Sequence, residues 1–357
     1  MGEAYHSGNS VFVERLLAWW DEHGRKDLPW QNPRTPYRVW VSEIMLQQTQ
    51  VATVIPYFQR FMVQFPDVLA LAGSELDEVL HYWSGLGYYA RARNLHRAAR
   101  IVAHDLGRFP ATTAALRELP GIGRSTAAAI VAQAYGVRAS ILDGNVKRVL
   151  ARQHRISGPL SSSRTQNELW RLSEAHTPYE RVADYTQAIM DLGATLCRRT
   201  RPQCSVCPVR QTCRAFAADE VERFPERAAR PSARRLERRR FFVLVAPDGR
   251  CLVEQRPPHG IWGGLWSPPE RNANQSVETF LTAAGIESTL VDDVSERAVF
   301  RHGFSHFDLD IEPVYVRLKA MPPVARDGGG PWIHPRRHAL GLSAVADKLL
   351  NGYGPDL

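Results

Sequence analysis

The chain has 357 residues, more than one hydrophobic core usually organises, so its length alone predicts two domains. Its hydrophobic content of 44% is ordinary for a globular protein, and its longest apolar runs, at residues 126–134 and 241–246, are too short to span a bilayer. The formal net charge of +8 favours a polyanionic partner, although charge also simply aids solubility. The N-terminus lacks the basic and then apolar pattern of a signal peptide, so we expect a cytoplasmic protein.

Up to about residue 216, apolar residues recur at intervals of three and four, which predicts helices almost throughout. Glycine, proline or serine separates these stretches, as at Gly85, Gly107, Pro110 and Gly136. We therefore predict a compact all-α domain over residues 1–216, whose last part, about 193–216, is a cysteine-rich module. The predicted helices cover residues 11–20, 37–62, 75–83, 90–104, 125–135, 146–154, 164–176 and 179–192.

A Gly-x-Gly turn at residues 119–125 joins two of the predicted helical stretches. Gly121 and Gly123 allow a tight turn in which no side chain shields the backbone amides. These amides stand at the start of the helix that begins near Ser125, where they can hold a phosphate. The pattern is typical of a helix–hairpin–helix motif that binds DNA without regard to sequence, and a helix connector without a ligand is the alternative.

A carboxylate follows this turn at a fixed distance. Asp143 lies twenty residues after Gly123, between apolar Ile141 and Leu142 and a predicted helix. We expect its carboxylate at a helix N-terminus beside a desolvated pocket. It could serve as a plain helix cap, but a carboxylate near such a hairpin could also stabilise a cationic sugar.

Four of the five cysteines follow the spacing Cys197-x6-Cys204-x2-Cys207-x5-Cys213. Closely spaced thiolates of this kind suit a soft-metal centre, and we favour a [4Fe–4S] cluster. Zinc is the second alternative, because four-cysteine zinc sites usually contain two Cys-x2-Cys pairs. Disulfides are the third, because they need an oxidising compartment. The arginines of this stretch would present positive charge to phosphate: Arg198, Arg199, Arg201, Arg210 and Arg214.

Residues 217–237 are rich in arginine and poor in apolar residues, so we predict a basic linker that lies along a phosphate backbone or is simply solvated. From residue 238 to 357 the apolar period changes to two. Residues 241–246 and 250–256 predict a β-hairpin, and residues 307–312 predict a strand with one polar face. With predicted helices at 276–284 and 343–350, this part is expected to be a small α+β domain.

Together, the hairpin, the aspartate and the four cysteines resemble those of the helix–hairpin–helix DNA glycosylases that carry an iron–sulfur cluster. Residues 40–50, 85–91 and 142–146 are similar to the MutY-type adenine DNA glycosylases, and the similarity continues at 255–258 and 304–306. The resemblance covers nearly the whole chain. It implies a mainly α helix–hairpin–helix glycosylase domain with a [4Fe–4S] module, followed by an α+β Nudix-like domain.

The resemblance also implies a function. The enzyme would be a monofunctional DNA repair glycosylase, which hydrolyses the N-glycosidic bond of adenine mispaired with 8-oxoguanine or guanine in duplex DNA. We would expect a monomer that does not bind membranes and, in a bacterium, associates with the nucleoid.

Two carboxylates would divide the chemistry. Glu43, set among the apolar residues 41 and 44–46, is expected to have a raised pKa and to protonate the purine at N7. Asp143 is expected to stay ionised and to face the oxocarbenium-like sugar. Ser125 stands where lyase-active relatives have lysine, so an efficient Schiff base is not expected. The implied catalytic set is Glu43, Asp143, Ser125 and Asn145.

The target base must leave the helix stack before it can react. By resemblance, Gln48 and Tyr88 enter the duplex with Leu86 beside them, and Trp30 and Gln187 line the adenine pocket. Gln31 stands at the pocket edge, where some relatives have arginine, and Lys147 could trap a sugar aldehyde. The full set of implied DNA-binding residues is Trp30, Gln31, Gln48, Leu86, Tyr88, Gly121, Gly123, Lys147, Gln187, Phe304, Ser305 and His306.

The C-terminal domain would read the lesion. Residues 263–266 are similar to part of the Nudix fold, but the glutamate-rich magnesium motif of active Nudix hydrolases is missing from the sequence. Phe304, Ser305 and His306 would recognise 8-oxoguanine, whose altered edge changes the donor and acceptor pattern. A bifunctional pyrimidine glycosylase/lyase and a non-catalytic cluster-bearing DNA-binding module are the alternatives. Ser125 and the additional domain oppose the first, and the presence of both carboxylates opposes the second.

Overall fold

The structure is a computed structural model, which describes residues 2–226, 234–304, 306–322 and 330–352, with side chains described from residue 10 onwards. The chain divides into two compact units. Unit 1 comprises Met1–Gly73 and Asn94–Arg230, and unit 2 comprises Ser74–Arg93 and Pro231–Leu357. Among the described residues, no helix is long and apolar enough to cross a membrane.

Unit 1 consists of helices packed around an apolar core. Phe12, Leu16 and Trp20, spaced four residues apart on the first helix, are buried in this core together with residues of the eighth to eleventh helices. The α-helices before residue 218 are α1 (Gly2–His23), α2 (Pro36–Leu46), α3 (Val51–Gln64), α4 (Val68–Gly73), α5 (Leu76–Trp83), α6 (Ala90–Arg100), α7 (Thr113–Arg117), α8 (Arg124–Tyr135), α9 (Gly144–His154), α10 (Ser163–His176), α11 (Val182–Thr195) and α12 (Arg214–Ala217). Of these helices, α5 belongs to unit 2. A π-helical segment, Ile101–Leu106, continues α6.

The predicted hairpin is the turn between α7 and α8. Gly121 has a φ of +80°, and a Cβ added there would lie 2.9 Å from the Cβ of Asn94, so both conformation and space require glycine. Gly123 is the N-cap of α8 and provides no side-chain cap, so the first amides of the helix are not covered by a capping side chain. The local geometry is that of an anion-binding helix start.

The structure breaks the helix predicted over residues 37–62 into α2 and α3. The two helices are separated by residues 47–50, and Gln48 has a φ of +59°, which a right-handed helix cannot accommodate. Apolar periodicity alone did not reveal this break, because the polar run Gln47, Gln48 and Thr49 contains no glycine or proline.

Unit 2 is built on a mixed β-sheet. Its strands are β1 (Arg235–Val245), β2 (Cys251–Leu252), β3 (Glu254–Gln255), β4 (Trp266–Ser267), β5 (Glu270–Asn272), β6 (Val291–Glu296), β7 (Phe300–Gly303), β8 (Phe307–Leu318) and β9 (Trp332–Ile333). The main sheet has the order β6-β8-β1-β2-β9, with β5 also pairing with β1 and β7 with β8, whereas β3 and β4 form a separate pair. The central strands β1 and β8 are parallel, in register from Arg235 opposite Phe307 to Val245 opposite Arg317.

Both faces of the main sheet are covered. Phe241 and Val243 of β1 pack with α14 (Ala344–Asn351) on one face, whereas Phe242 and Leu244 pack with α13 (Val277–Ala283) on the other. This two-sided burial follows from the period of two along β1, in which successive side chains point to opposite faces.

The structure differs from the sequence predictions at the start of this unit. Strand β1 begins at Arg235, within the predicted linker, and Arg239 of β1 forms ion pairs with Glu237 at 3.2 Å and Glu270 at 3.3 Å. The strand 307–312 was predicted to have one solvent-exposed polar face, but Asp310 is only 7% exposed because Arg301 binds its two carboxylate oxygens at 2.7 and 3.0 Å. These paired charges are not available to lie along a phosphate backbone.

Candidate active site

Glu43 lies on α2, and its carboxyl group is held against α8. Gln133 of α8 donates a hydrogen bond from Nε2 to Glu43 Oε1 at 3.0 Å. Burial and, secondly, the charge of Asp143 raise the pKa of Glu43 to about 7, and the hydrogen bond from Gln133 limits this rise. A carboxyl group with this pKa is protonated in about half of the molecules at neutral pH, so it can donate a proton.

Asp143 caps the N-terminus of α9. Its Oδ1 accepts a hydrogen bond from the backbone N–H of Val146 at 2.8 Å, and its Oδ2 accepts one from Asn145 Nδ2 at 3.2 Å. Burial raises the pKa of Asp143, whereas these hydrogen bonds and the charge of Arg148 oppose the rise. The cap geometry is the one that the sequence predicted for a plain N-cap, and it also fixes the direction of the carboxylate.

The two carboxyl groups differ in the donors that surround them. The Asp143 carboxylate accepts hydrogen bonds from Val146 and Asn145, whereas Gln133 is the one donor among the described residues that reaches the carboxylate of Glu43. Hydrogen bonds to a carboxylate stabilise its ionised form. Since burial raises the pKa of both groups, Asp143 is the better place for the negative charge and Glu43 the better place for the proton.

An arginine connects Asn145 to the cysteine-rich module. Arg148 Nη2 donates to Asn145 Oδ1 at 2.8 Å, and its Nε donates to the backbone carbonyl of Cys197 at 2.7 Å. One turn further along α9, Arg152 donates from Nη1 to the Sγ of Cys197 at 3.3 Å and to the carbonyl of Arg198 at 2.7 Å. Helix α9 therefore carries the capping aspartate at one end and holds the module along its length.

The four clustered cysteines line one cavity, together with Arg152 and residues of α9 and α11. All five cysteines of the chain lie in its described part, and all five are free thiols. Burial raises the pKa of Cys207 to about 12 and also raises the pKa values of Cys204 and Cys213. These thiols therefore stay protonated at neutral pH unless a positively charged centre stabilises the thiolates.

Three residues predicted for a base pocket are buried in unit 1. Trp30 packs edge-to-face on Phe58 with ring centroids 5.5 Å apart. Gln31 is 5% exposed, and neither its amide nitrogen nor its amide oxygen has a hydrogen-bond partner among the described residues. Gln187 donates from Nε2 to Asp191 Oδ1 at 2.8 Å. A buried amide without partners is costly, so Gln31 can gain binding energy from a polar ligand.

The residues predicted to enter a duplex lie in two separate turns. Gln48 is exposed in the α2–α3 turn of unit 1, and Tyr88 is 51% exposed in the turn before α6 in unit 2. Both have positive φ values, +59° and +49°, which are unusual for residues other than glycine and are often found at functional sites. Leu86 is only 6% exposed, so it supports its turn from the inside and does not extend into solvent beside Tyr88.

Ser125 and Lys147 form hydrogen bonds with the backbone at residues 142 and 143. The Oγ of Ser125 accepts a hydrogen bond from the backbone N–H of Leu142 at 2.9 Å, one residue before Asp143. Lys147 lies on the first turn of α9, and its backbone N–H donates to the carbonyl of Asp143 at 2.9 Å. Ser125 therefore acts in the folded chain as a backbone anchor for the loop that carries the aspartate.

The predicted lesion-reading loop lies in unit 2. Phe304 stacks on Phe307 with centroids 4.6 Å apart and also contacts Trp262 at 5.2 Å, so its ring belongs to the local aromatic packing. Ser305 lies outside the described residues. His306 borders a cavity of about 560 Å³, which is also lined by Arg235, Arg239, Arg256, His259 and Glu270, among other residues.

Gln133, Arg148 and Arg152 are the site residues that the sequence analysis missed. Gln133 is the one polar residue after Thr126 in the apolar run 126–134, and a lone amide in such a run indicates a buried polar contact. Arg148 and Arg152 lie four residues apart on one face of α9, a spacing that could have indicated a shared partner.

Comparisons with known proteins agree with this organisation. A family model described as HhH-GPD superfamily base excision DNA repair protein matches residues 41–175, and one described as NUDIX domain matches residues 240–352. The chain is 37% identical to the adenine DNA glycosylase of Buchnera aphidicola subsp. Acyrthosiphon pisum, over 96% of this chain and 97% of that protein. It is 33% identical to the adenine DNA glycosylase of Homo sapiens, over 96% of this chain and 74% of that protein.

A solved structure described as a thermostable thymine-DNA glycosylase matches with a TM-score of 0.53 and 28% identity, and covers 60% of this chain and 100% of that one. The matches confirm the predicted fold class, a helical helix–hairpin–helix domain followed by a Nudix-like domain.

The contact between Gln133 and Glu43 yields a prediction. In Gln133→Leu, the loss of the donor to the carboxylate should raise the pKa of Glu43 further, by about one unit. The measurement is a pH titration of the Glu43 carboxyl carbon by NMR in selectively labelled protein. Gln153→Leu is the matched control, because Gln153 is also buried but donates to Thr212 Oγ1 at 2.6 Å. A Glu43 pKa that falls, or that changes equally in both variants, would contradict the assigned contact.

Proposed function

Because the chain belongs to the adenine DNA glycosylase family, whose members are DNA repair hydrolases of N-glycosyl bonds, we propose that it removes adenine mispaired with 8-oxoguanine or guanine from duplex DNA. The observation that carries the proposal is the pair of partly buried carboxyl groups, Glu43 and Asp143, whose charges interact and whose hydrogen-bond donors differ. Two carboxyl groups in unequal environments are what acid-assisted cleavage of a glycosidic bond requires.

In the proposed reaction, the bond between C1′ and N9 of adenine breaks, and its electron pair goes to the base. Protonated Glu43 transfers its proton to N7, so the purine leaves as a neutral molecule. Ionised Asp143 stabilises the positive charge that develops on the sugar. Water then adds to C1′ and releases a proton, which leaves an abasic site and restores the acid form of Glu43.

The adenine would be recognised after it leaves the helix stack. Trp30 offers an apolar wall, and the partnerless amide of Gln31 offers a donor and an acceptor that match the polar edge of a purine. Gln187 has one amide hydrogen engaged with Asp191, so it would contribute its remaining groups. We propose that the burial of Gln31 without a partner in the free protein favours base binding.

The DNA backbone would be held by groups that carry no sequence information. The amides after Gly121 and Gly123 would bind a phosphate at the start of α8, and Lys147 would face the backbone near the abasic sugar. Gln48 and Tyr88 would occupy the space that the flipped base leaves. We propose a cytoplasmic, nucleoid-associated monomer as the acting form.

We propose that Cys197, Cys204, Cys207 and Cys213 hold a [4Fe–4S] cluster. The fit rests on the cavity that all four thiols line. Burial raises the pKa values of Cys204, Cys207 and Cys213, so a cationic centre is needed to stabilise their thiolates. When bound, the cluster would supply structural rigidity, while Arg152 holds the first cysteine.

The glycosylase domain would extend over residues 1–216, with the cluster module at about 193–216, and residues 238–357 would form the lesion reader. In the reader, His306 and Ser305 would distinguish the altered edge of 8-oxoguanine by hydrogen bonds. Phe304 would support them from within the aromatic packing of Phe307 and Trp262. Ser125 offers no amine for a Schiff base, so the enzyme would release adenine without cutting the strand.

The proposed chemistry predicts the behaviour of two carboxyl variants. Purified protein should release adenine opposite 8-oxoguanine and opposite guanine, but not opposite thymine, and should leave the strand intact. Asp143→Asn and Glu43→Gln should each bind the duplex normally and lose about 10²–10⁴ in single-turnover rate, because the shape is kept and the charge or titratable proton is lost. Asp105→Asn, which changes an exposed carboxylate of unit 1, is the control. Adenine release at the normal rate by Asp143→Asn would rule out the assigned mechanism.

The cluster proposal predicts a coloured protein. Anaerobically purified protein should contain about four iron and four sulfide per chain and absorb broadly near about 400 nm. Cys207→Ser should lose iron and DNA binding, because one thiolate is missing, whereas Cys251→Ser, which changes the one cysteine outside the module, should keep both. Stoichiometric zinc without iron would exclude the cluster.

A further inference from the structure

The segment Ser74–Arg93, which lies among the helices in sequence, forms one compact unit with Pro231–Leu357. This segment contains α5 and the turn that carries Tyr88. Its helical apolar periodicity predicts a place in the all-α domain, because nothing in that pattern shows which partner a helix packs against. The contacts of its side chains explain the grouping.

Residues at both ends of the turn that carries Tyr88 form hydrogen bonds with the backbone of Leu342. Its N–H donates to Ser84 Oγ at 3.2 Å, and its carbonyl accepts a hydrogen bond from the Tyr89 hydroxyl at 3.0 Å. The Tyr89 hydroxyl also accepts from the backbone N–H of Gly85 at 3.2 Å. One phenol oxygen therefore closes the turn and attaches it to the segment before α14.

Further contacts hold the helices on either side of the turn. On α5, Asp77 accepts from Trp266 Nε1 at 3.2 Å, and the Nδ1 of His81 lies 3.3 Å from the carbonyl of Leu340. On α6, Arg93 donates to the carbonyl of Gly263 at 2.6 Å.

The backbone at Gly341 lies close to helix α5. A Cβ added to Gly341 would lie 2.5 Å from the Cβ of Leu80, so only glycine fits between α5 and Leu342.

Within the turn, Tyr88 has little freedom although its side chain is half exposed. The carbonyl of Gly87 accepts hydrogen bonds from Trp83 Nε1 and from Arg91 Nη2, each at 3.1 Å. The Arg91 guanidinium lies 5.4 Å from the centroid of the Tyr88 ring. These contacts maintain the positive φ of Tyr88. A strained backbone conformation persists only where the surrounding structure holds it.

We propose that Ser84 and Tyr89 are positioning residues, which act through Leu342 to fix Tyr88 on the same rigid body as the lesion reader. The proposal rests on the proposed function, in which Tyr88 enters the duplex and unit 2 reads the lesion. Its consequence is that contact with an 8-oxoguanine determines where the aromatic ring enters the stack. Loss of the attachment should therefore reduce the advantage of a lesion-containing duplex and leave the cleavage chemistry intact.

The test uses the full-length protein with the double variant Ser84→Ala/Tyr89→Phe, which removes two hydroxyl groups and keeps both side-chain shapes. The loss of these hydrogen bonds should accelerate amide exchange in residues 84–91. It should also reduce the single-turnover preference for 8-oxoguanine over guanine by about fivefold to tenfold in the double variant. Adenine release opposite an abasic analogue, where no pair needs to be opened, should stay at the wild-type rate.

Three further variants separate the causes. Ser84→Thr, which keeps the hydroxyl, should retain the preference, and Tyr179→Phe, at an exposed tyrosine of unit 1, should have no effect. If the double variant fails to fold, Gly341→Ala tests the same attachment by forcing Leu342 away from α5.

Unchanged exchange at residues 84–91, or faster exchange with an unchanged preference ratio, would overturn the proposal. If the wild type released no adenine from any duplex, the proposed function would fail instead, and the exchange result would still decide whether Leu342 holds the turn.

Discussion

The interaction on which the site depends is the electrostatic coupling of two partly buried carboxyl groups, Glu43 and Asp143. Two carboxylates that are removed from water and near each other cannot both ionise without a large cost, so one of them retains its proton. The helices decide which one: α9 offers Asp143 its N-terminal amides, whereas α8 offers Glu43 the single donor of Gln133. A fold that brings an acid and an anion together in this way can cleave an acid-labile bond at neutral pH.

The surrounding structure maintains this pairing. Asp143 is the N-cap of helix α9, and Arg148 and Arg152 of this helix bind the carbonyl and the sulfur of Cys197, so the helix that presents the carboxylate and the cysteine-rich module are held together. The Oγ of Ser125 fixes the preceding residue from α8. In unit 2, the segment before α14 supports Tyr88 in the same way, because Leu342 forms hydrogen bonds with Ser84 and Tyr89 on either side of it. Asp143 and Tyr88 therefore each stand on an element that a second element holds.

Much of the site could be predicted from sequence because its motifs are local. Asp143 as a helix cap, the Gly121 turn and the cysteine spacing each depend on residues close together in the chain, and the structure shows the cap and the turn as expected. The break at Gln48 was missed because the polar run of residues 47–49 contains no glycine or proline to indicate the positive φ of Gln48. Gln133 and the attachment of residues 74–93 depend on partners far away in sequence, which periodicity cannot identify. The start of β1 at Arg235 was not predicted, because a run of arginines has the composition of a solvated linker. The sequence does not show that Arg239 pairs with Glu237 and Glu270.

The central claim, that Glu43 supplies the proton, is tested most directly by the pH dependence of single-turnover adenine release. The acid form of Glu43 is the active one, and its pKa is raised to about 7, so the rate should be highest below that pH and should fall tenfold for each further unit above it. Glu43→Gln has no titrating group at this position and should lose this alkaline limb along with most of the rate. A wild-type rate that stays constant from about pH 6 to 9, or an alkaline limb that persists in Glu43→Gln, would contradict the account.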